Sequence, residues 1–189
     1  MVKEPHPGRV KTRLGRDIGM VPAAWWFRHQ TKRLTRKLAR DPRWQTVLAV
    51  SPDVEGLTSR VWPPHVSRTP QGRGNLGDRM ARQMRDIPGD VVVIGADIPG
   101  ITPALIMQAF HVLGAHDAVI GPAPDGGYWL VGTSGRKAQS PRFMKNVRWS
   151  TRYAMEDTIA SMDGLSIARI GMLRDVDTAA DLAALEQLT

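Results

Sequence analysis

The stretch that most constrains this chain is residues 91–100: Val91, Val92, Val93 and Ile94, followed by Gly95, Ala96, Asp97, Ile98, Pro99 and Gly100. Four consecutive β-branched residues predict a strand buried on both faces, as in a parallel sheet. The Pro-Gly break leaves Asp97 at the carboxyl end of that strand, where open α/β sheets place their ligands. A carboxylate there can bind a divalent cation, act as a base or cap the next turn. The stretch alone leaves all three open.

Strand-like and helix-like segments alternate around it. Pro22 suits a first helical position, and Ala23, Trp26, Phe27, Leu34 and Leu38 share one side, so a helix is expected over 22–39. A strand over 44–50 follows the Asp41-Pro42 break, and residues 55–75 read as irregular. A helix over 76–87 precedes the Val91 strand. Thr102 as cap, Pro103 at the first helical position and Gly114 as stop frame the next helix, and residues 117–121 give another strand. Trp149, Ser150 and Thr151 open a helix to about 162 with a hydroxyl as its cap. A strand over 165–170 and a helix over 179–188 complete the chain, with Thr178 and Asp181 as a capping pair. This alternation argues an α/β fold with a mostly parallel sheet, and 189 residues suit a single domain spanning 1–189.

Composition excludes several chemistries. Without Cys there is no disulfide, thiolate nucleophile or Cys-ligated metal. The first residues hold no apolar leader and no apolar run is long enough to span a bilayer, so a soluble cytoplasmic protein is expected. The positive charge is local. Residues 1–43 hold 12 Lys and Arg against three acids, whereas residues 44–189 hold 14 against 15. Such a patch suits nucleic acid, an acidic membrane face or a phosphorylated small molecule, and a solvated helix face accounts for part of it.

Within that basic part, Pro7-Gly8 makes a turn whose glycine admits a ligand close to the backbone, and Lys11, Thr12 and Arg13 supply charge and donors suited to phosphate. A basic surface loop fits equally well. It is no Walker A loop, since Val10 stands where that motif needs Gly. Gly72, Gly74 and Gly77 formally match the dinucleotide pattern, but residues 67–71 do not read as a strand running into it, so a Rossmann fingerprint is rejected. The amides of that turn and Arg79 can still meet an anion. Asp125 precedes Gly126, Gly127 and an aromatic strand, which puts a carboxylate beside open backbone; an ordinary Asp-Gly turn explains it too. Asp175 and Asp177 flank Val176, so one is expected to face a site and the other solvent, and capping alone could explain Asp177.

Taken in order, Lys3-x-Pro5-x-Pro7-Gly8-x-Val10-Lys11-Thr12-Arg13-Leu14, Gly74-Asn75-Leu76-Gly77-x-Arg79-Met80, Gly95-Ala96-Asp97-Ile98-Pro99-Gly100, Gly121-Pro122-Ala123-x-Asp125-Gly126-Gly127-Tyr128, Trp149-Ser150-Thr151 and Asp175-Val176-Asp177-Thr178 resemble one bacterial family. It comprises small glycosyltransferase-A-like proteins of the arsenosugar-biosynthesis or radical-SAM-associated type. The resemblance covers nearly the whole chain. It implies a nucleotide-diphospho-sugar transferase fold, a three-layer sandwich with helices on both sides of the sheet. Pro7, Gly8, Lys11, Thr12 and Arg13 would hold the nucleotide, with Gly77 and Arg79 of the second Gly-rich turn. Asp97 and Asp177 would hold Mg²⁺ or Mn²⁺, and Lys11 and Arg13 would stabilise the leaving diphosphate. Asp125 would position or deprotonate the acceptor.

Two departures accompany the resemblance. Similar proteins carry an apolar strand before the Lys-x-Pro loop, of which Met1 and Val2 stand here, so a truncated first strand with unpaired backbone groups is expected. Ile98 replaces a frequent Cys, which repacks the turn. The resemblance implies transfer from a nucleotide-diphospho-sugar to a small-molecule acceptor, with no membrane partner. Guanylyltransferase-like nucleotidyl transfer is the nearest alternative. A non-catalytic basic nucleic-acid-binding module is the alternative from another class, although no aromatic and basic interleaving accompanies the charge.

Overall fold

The computed structural model describes residues 1–136 and 140–186. Along the chain the elements are β1 (Val2–Lys3), α1 (Thr12–Ile18), α2 (Met20–Ala39), β2 (Val47–Ser51), α3 (Asp53–Thr58), β3 (Ser67–Pro70), α4 (Leu76–Asp86), β4 (Val91–Ile94), α5 (Pro103–Leu113), β5 (Ala118–Pro122), β6 (Tyr128–Thr133), α6 (Ala154–Ala160), β7 (Ile167–Arg169) and α7 (Ala179–Glu186). They gather into two compact units. The first contains Met1–Pro70, Ala96–Gly100 and the chain from Asp175 onwards; the second contains Gln71–Gly95 and Ile101–Arg174.

In the first unit β1, β2 and β3 form a parallel sheet in that order. Leu48, Ala49 and Val50 of the middle strand are all buried, as a parallel strand covered on both faces requires. Leu48 and Val50 pack with Val2, Val10, Ala24, Phe27, Trp62, Val66 and Ala96 in one core. The short β1 is paired: Val2 lies opposite Val50, Lys3 opposite Ser51, and Glu4 N–H donates to the Ser51 carbonyl at 2.7 Å. Helix α2 begins two residues before the expected start, with Pro22 in its first turn, where a missing N–H costs nothing.

Three elements here escape the sequence pattern. Helices α1 and α3 are short, and β3 consists of Ser67, Arg68, Thr69 and Pro70, which carry no apolar alternation. β3 pairs through its backbone with β2, Val47 to Val50 against 67–70, and the Arg68 guanidinium donates to the Ser59 carbonyl at 2.7 Å and the Leu57 carbonyl at 3.0 Å. The expectation that no strand precedes the Gly72 turn is therefore corrected.

The second unit holds the order β4-β6-β5-β7. β6 is antiparallel to both β4 and β5, while β5 and β7 are parallel. The expectation that Val91–Ile94 form a parallel strand buried on both faces is corrected: β4 pairs antiparallel with β6, and of its residues Val91 alone is fully buried. The cause lies in the tight turn at 123–127, which folds β5 and β6 into a hairpin. β4 and β5, joined through α5, run in the same direction, so the hairpin sets β6 between them antiparallel to both. Three of the five described ladders are nevertheless parallel, and the α/β class with mostly parallel pairing stands.

Capping explains several helix ends. Thr102 accepts the Leu105 N–H at 3.3 Å before Pro103. Asn75 and Asp78 exchange side-chain and backbone bonds at the start of α4, at 3.0 and 3.1 Å. Thr178 and Asp181 do the same for α7, at 3.2 and 2.9 Å; Leu188, the expected end of that helix, lies outside the described residues. Helix α6 departs from expectation. It starts at Ala154 with no side-chain cap, because the cap position falls to Tyr153, while the Thr151 hydroxyl accepts the Tyr153 N–H at 3.2 Å and donates to the Arg148 carbonyl at 2.7 Å.

Asp157 fixes the turn ahead of α6. Its Oδ2 accepts from the Arg148 side chain at 2.8 Å and from the Arg148 N–H at 2.9 Å. These bonds hold its carboxyl down at about 2, against an ordinary 3.8. A depressed carboxylate contributes stability that is fully present above the unfolded value and is lost as pH falls toward the folded one. Asp157→Asn should therefore be less stable than the parent between pH 5 and 7. The gap should narrow below about pH 4 and close near pH 2, read by urea unfolding down to that pH.

Candidate functional site

Everything that converges on Asp97 comes from the first unit. Its neighbour Ala96 is buried in the core beside Val10 and Phe27, and the Ala96 carbonyl accepts from the Thr31 hydroxyl of α2 at 3.4 Å. With Ile98 buried as well, the carboxylate of Asp97 is left as the accessible group of its turn. Its Oδ2 lies 2.6 Å from Lys11 Nζ.

Lys11 is set by the start of α1. It is the residue before Thr12, and its backbone has φ 44° and ψ 47°, a left-handed conformation that side-chain-bearing residues rarely adopt. The turn ahead of it is closed by Arg9 N–H donating to the His6 carbonyl at 3.0 Å, with Gly8 at φ +74° and open space where a Cβ would stand. The Lys11 side chain is only 5% exposed, while Arg13, two residues further on, is 68% exposed.

The third segment of the site is residues 175–177. Val176 is buried against Leu14 of α1 and Ala23 of α2. Residues two apart in an extended segment point the same way, so burying Val176 turns both flanking acids toward Lys11. Asp177 Oδ1 accepts from Lys11 Nζ at 2.7 Å and its Oδ2 from Arg13 at 3.2 Å, while Asp175 Oδ2 lies 3.6 Å from the same ammonium. The expectation that one of the two faces solvent is thus corrected. Asp17 of α1 fixes the junction by accepting the Ala179 N–H at 2.9 Å.

Burial works against the charge of Lys11, yet the Asp97 and Asp177 carboxylates outweigh it and hold its ammonium above the ordinary range. Burial likewise opposes Asp177, and Lys11, supported by Arg13, holds its carboxyl below the usual value. Both therefore stay charged near neutrality. Above them lies a cavity of about 350 Å³ lined by Lys3, Arg9, Lys11, Thr12, Arg13 and Asp97, with Val10, Phe27 and Asp177 completing it. Lys3 and Arg9 belong to the same basic run as Lys11 and were visible in it, but spacing gave no reason to set them apart from solvated cations.

The donor set can be tested against a divalent ion. Among the described residues no group of three or more His, Asp or Glu side chains is arranged to hold a metal. Mg²⁺ asks for less: one or two carboxylates, with water and phosphate oxygens supplying the rest. Asp97 and Asp177 meet that requirement in chemistry and in convergence, since one point, the Lys11 ammonium, is within 2.7 Å of an oxygen of each. The set fits a hard cation that brings further oxygen ligands with it.

The remaining expected residues lie in the second unit. Asp125 is exposed and its Oδ1 accepts the Gly127 N–H at 2.9 Å, as an Asp-Gly turn residue does. Gly77 is buried, and a Cβ there would meet the Met144 carbonyl oxygen at 2.5 Å, so glycine serves close packing. Arg79 donates to the Gly74 carbonyl at 3.1 Å. Although β3 precedes it in sequence, the Gly72 to Gly77 turn leads into the capping box of α4, in which the Asn75 and Asp78 N–H groups are taken by side chains.

Comparison with known proteins places the fold. A structure from Desulfovibrio desulfuricans G20 described as a "putative nucleotide-diphospho-sugar transferase" is 32% identical, with a TM-score of 0.87 over 99% of this chain and 84% of that one. Molybdopterin-guanine dinucleotide biosynthesis protein A from Archaeoglobus fulgidus shares the fold at 16% identity, with a TM-score of 0.55 over 93% of each chain. No curated protein matches. Residues 34–151 match the family described as "Uncharacterized protein conserved in bacteria (DUF2064)". With that match spanning more than half of its length, and the Asp97 turn inside it, the chain belongs to the DUF2064 family.

Proposed function

We propose that this chain is a transferase acting on a nucleotide-activated donor, and that the reaction is glycosyl transfer from a nucleotide-diphospho-sugar with Mg²⁺ or Mn²⁺. One observation carries the reading: cations and carboxylates alternate in one concave site, with Lys11 clasped by Asp97 and Asp177 beneath a cavity lined by Lys3, Arg9 and Arg13. Four cations suit a diphosphate, and the two carboxylates suit the divalent ion that accompanies it. The likeness to a structure described as a nucleotide-diphospho-sugar transferase supports the same substrate class. The arsenosugar or radical-SAM-associated subtype remains part of this proposal.

In this reading Lys3, Arg9 and Arg13 bind and orient the phosphates, and Lys11 faces the oxygens on which negative charge grows as the donor's anomeric C–O bond breaks. Asp97 and Asp177 hold the ion, which when bound neutralises part of the leaving diphosphate's charge. The acceptor oxygen bonds to the anomeric carbon and gives its proton to a base. A nucleoside diphosphate leaves. Incubation with nucleotide sugars and with nucleoside triphosphates tests the reaction type. Nucleoside diphosphate release from a nucleotide sugar is expected; pyrophosphate release from a triphosphate without it would establish nucleotidyl transfer instead.

A further inference from the structure

We infer that the Lys11 ammonium is a built-in counter-cation that holds the divalent-ion position until a diphosphate arrives, so that free metal is excluded and the ion enters together with the donor. The inference rests on the donor reading above and concerns how that site is loaded. Lys11 Nζ sits 2.6 Å from Asp97 and 2.7 Å from Asp177, with Asp175 at 3.6 Å. Those are the oxygens that the ion would use, and an ammonium in ion-pair contact with both leaves no room for a second cation between them. Like charges at that separation repel strongly, most of all where water is sparse, and the Lys11 side chain is 5% exposed.

The geometry also supplies the way out. Lysine is a compact charge on a flexible four-carbon stem, able to change partners without moving its backbone. Lys11 lines the cavity above the carboxylates together with Lys3, Arg9 and Arg13, three cations that attract a diphosphate. An anion held there offers Lys11 an alternative partner, and its departure uncovers Asp97 and Asp177. Asp177 also has Arg13 at 3.2 Å, a second cation that can hold the segment when the ammonium turns away. Binding of metal and of diphosphate are then coupled, and each must raise the affinity of the other by the same factor.

Water-proton relaxation, which reports Mn²⁺ held on a slowly tumbling protein, tests this with Mn²⁺ alone and with Mn²⁺ plus each of ADP, CDP, GDP and UDP. Lys11→Met should take up free Mn²⁺ at least about tenfold more tightly than the parent, within the usual range of coupling factors. Lys11→Arg should not. An unchanged or weaker affinity in a Lys11→Met protein that circular dichroism shows to be folded would overturn the exchange. Should that variant not fold, the side-chain ammonium signal of Lys11 in the ¹⁵N-labelled parent decides. It should stay in place with Mg²⁺ alone and shift with Mg²⁺ and a diphosphate. A shift with Mg²⁺ alone would overturn the exchange while leaving the donor reading intact. Absence of Mn²⁺ uptake with every diphosphate, in parent and variant, would overturn both.

Discussion

Asp97→Asn should lower kcat/KM for the donor by about 10²–10³-fold, the loss expected when one charge is removed from a site built to stabilise a leaving anion. The substitution keeps the shape of a side chain that is 27% exposed, and Lys11 retains Asp177 at 2.7 Å, so the fold should survive. The loss should fall on kcat and on divalent-dependent donor binding together, because the ion and the diphosphate share the site. Initial rates of nucleoside diphosphate release at several metal concentrations measure it. A variant that keeps more than about a tenth of the parent's kcat/KM would take Asp97 out of the site.

The largest loss of stability should follow from Trp129→Ala. Trp129, the second residue of β6, is 2% exposed, and its indole lies against Gly121, where a Cβ would come within 2.5 Å of Nε1. The Nε1–H also donates to the Gly171 carbonyl at 2.9 Å. Truncation removes the packing, leaves a cavity against Gly121, and orphans that carbonyl. Aromatic truncations of this kind cost about 3–5 kcal/mol, a large part of the ~5–15 kcal/mol that a typical domain has. Trp129→Phe should cost markedly less, since it fills most of the volume and loses the hydrogen bond alone. Urea midpoints of the two variants give the comparison. A Trp129→Ala protein within about 1 kcal/mol of the parent would contradict the packing described.

The sequence announces features that depend on local chemistry. Thr102, Pro103 and Gly114 bracket α5 because caps, a fixed φ and a stop act within one turn of the chain. The Val91 to Ile94 run predicts β4 for a similar reason. Its direction was not legible, since a buried strand has the same composition in either orientation and a hairpin elsewhere, at 123–127, decides the pairing. β3 was invisible because an edge strand held by backbone bonds needs no apolar pattern. Helix α1, seven residues long and containing Gly15, offers too little periodicity to detect.

The site divides along the same line. Lys11, Arg13, Asp97 and Asp177 could each be picked out as charges beside turns or a strand end. Their meeting could not, because Lys11 and Asp177 are 166 residues apart and nothing local records a contact of that span. Asp175 was misjudged for a simpler reason. Alternation around a buried Val176 places both neighbours on one side, toward Lys11. Among the described residues no helix is long and apolar enough to cross a membrane.

The account's central claim is that donor diphosphate and divalent ion meet at Asp97, Asp177 and Lys11. Crystals grown with Mn²⁺ and a nucleoside diphosphate, measured at the manganese edge, test it directly. The expected result is an anomalous peak in coordination contact with Asp97, with diphosphate density in the cavity of Lys3, Arg9 and Arg13 and the Lys11 ammonium turned from Asp97 to a phosphate oxygen. Manganese and diphosphate bound elsewhere, with Lys11 still paired to Asp97 and Asp177, would contradict it.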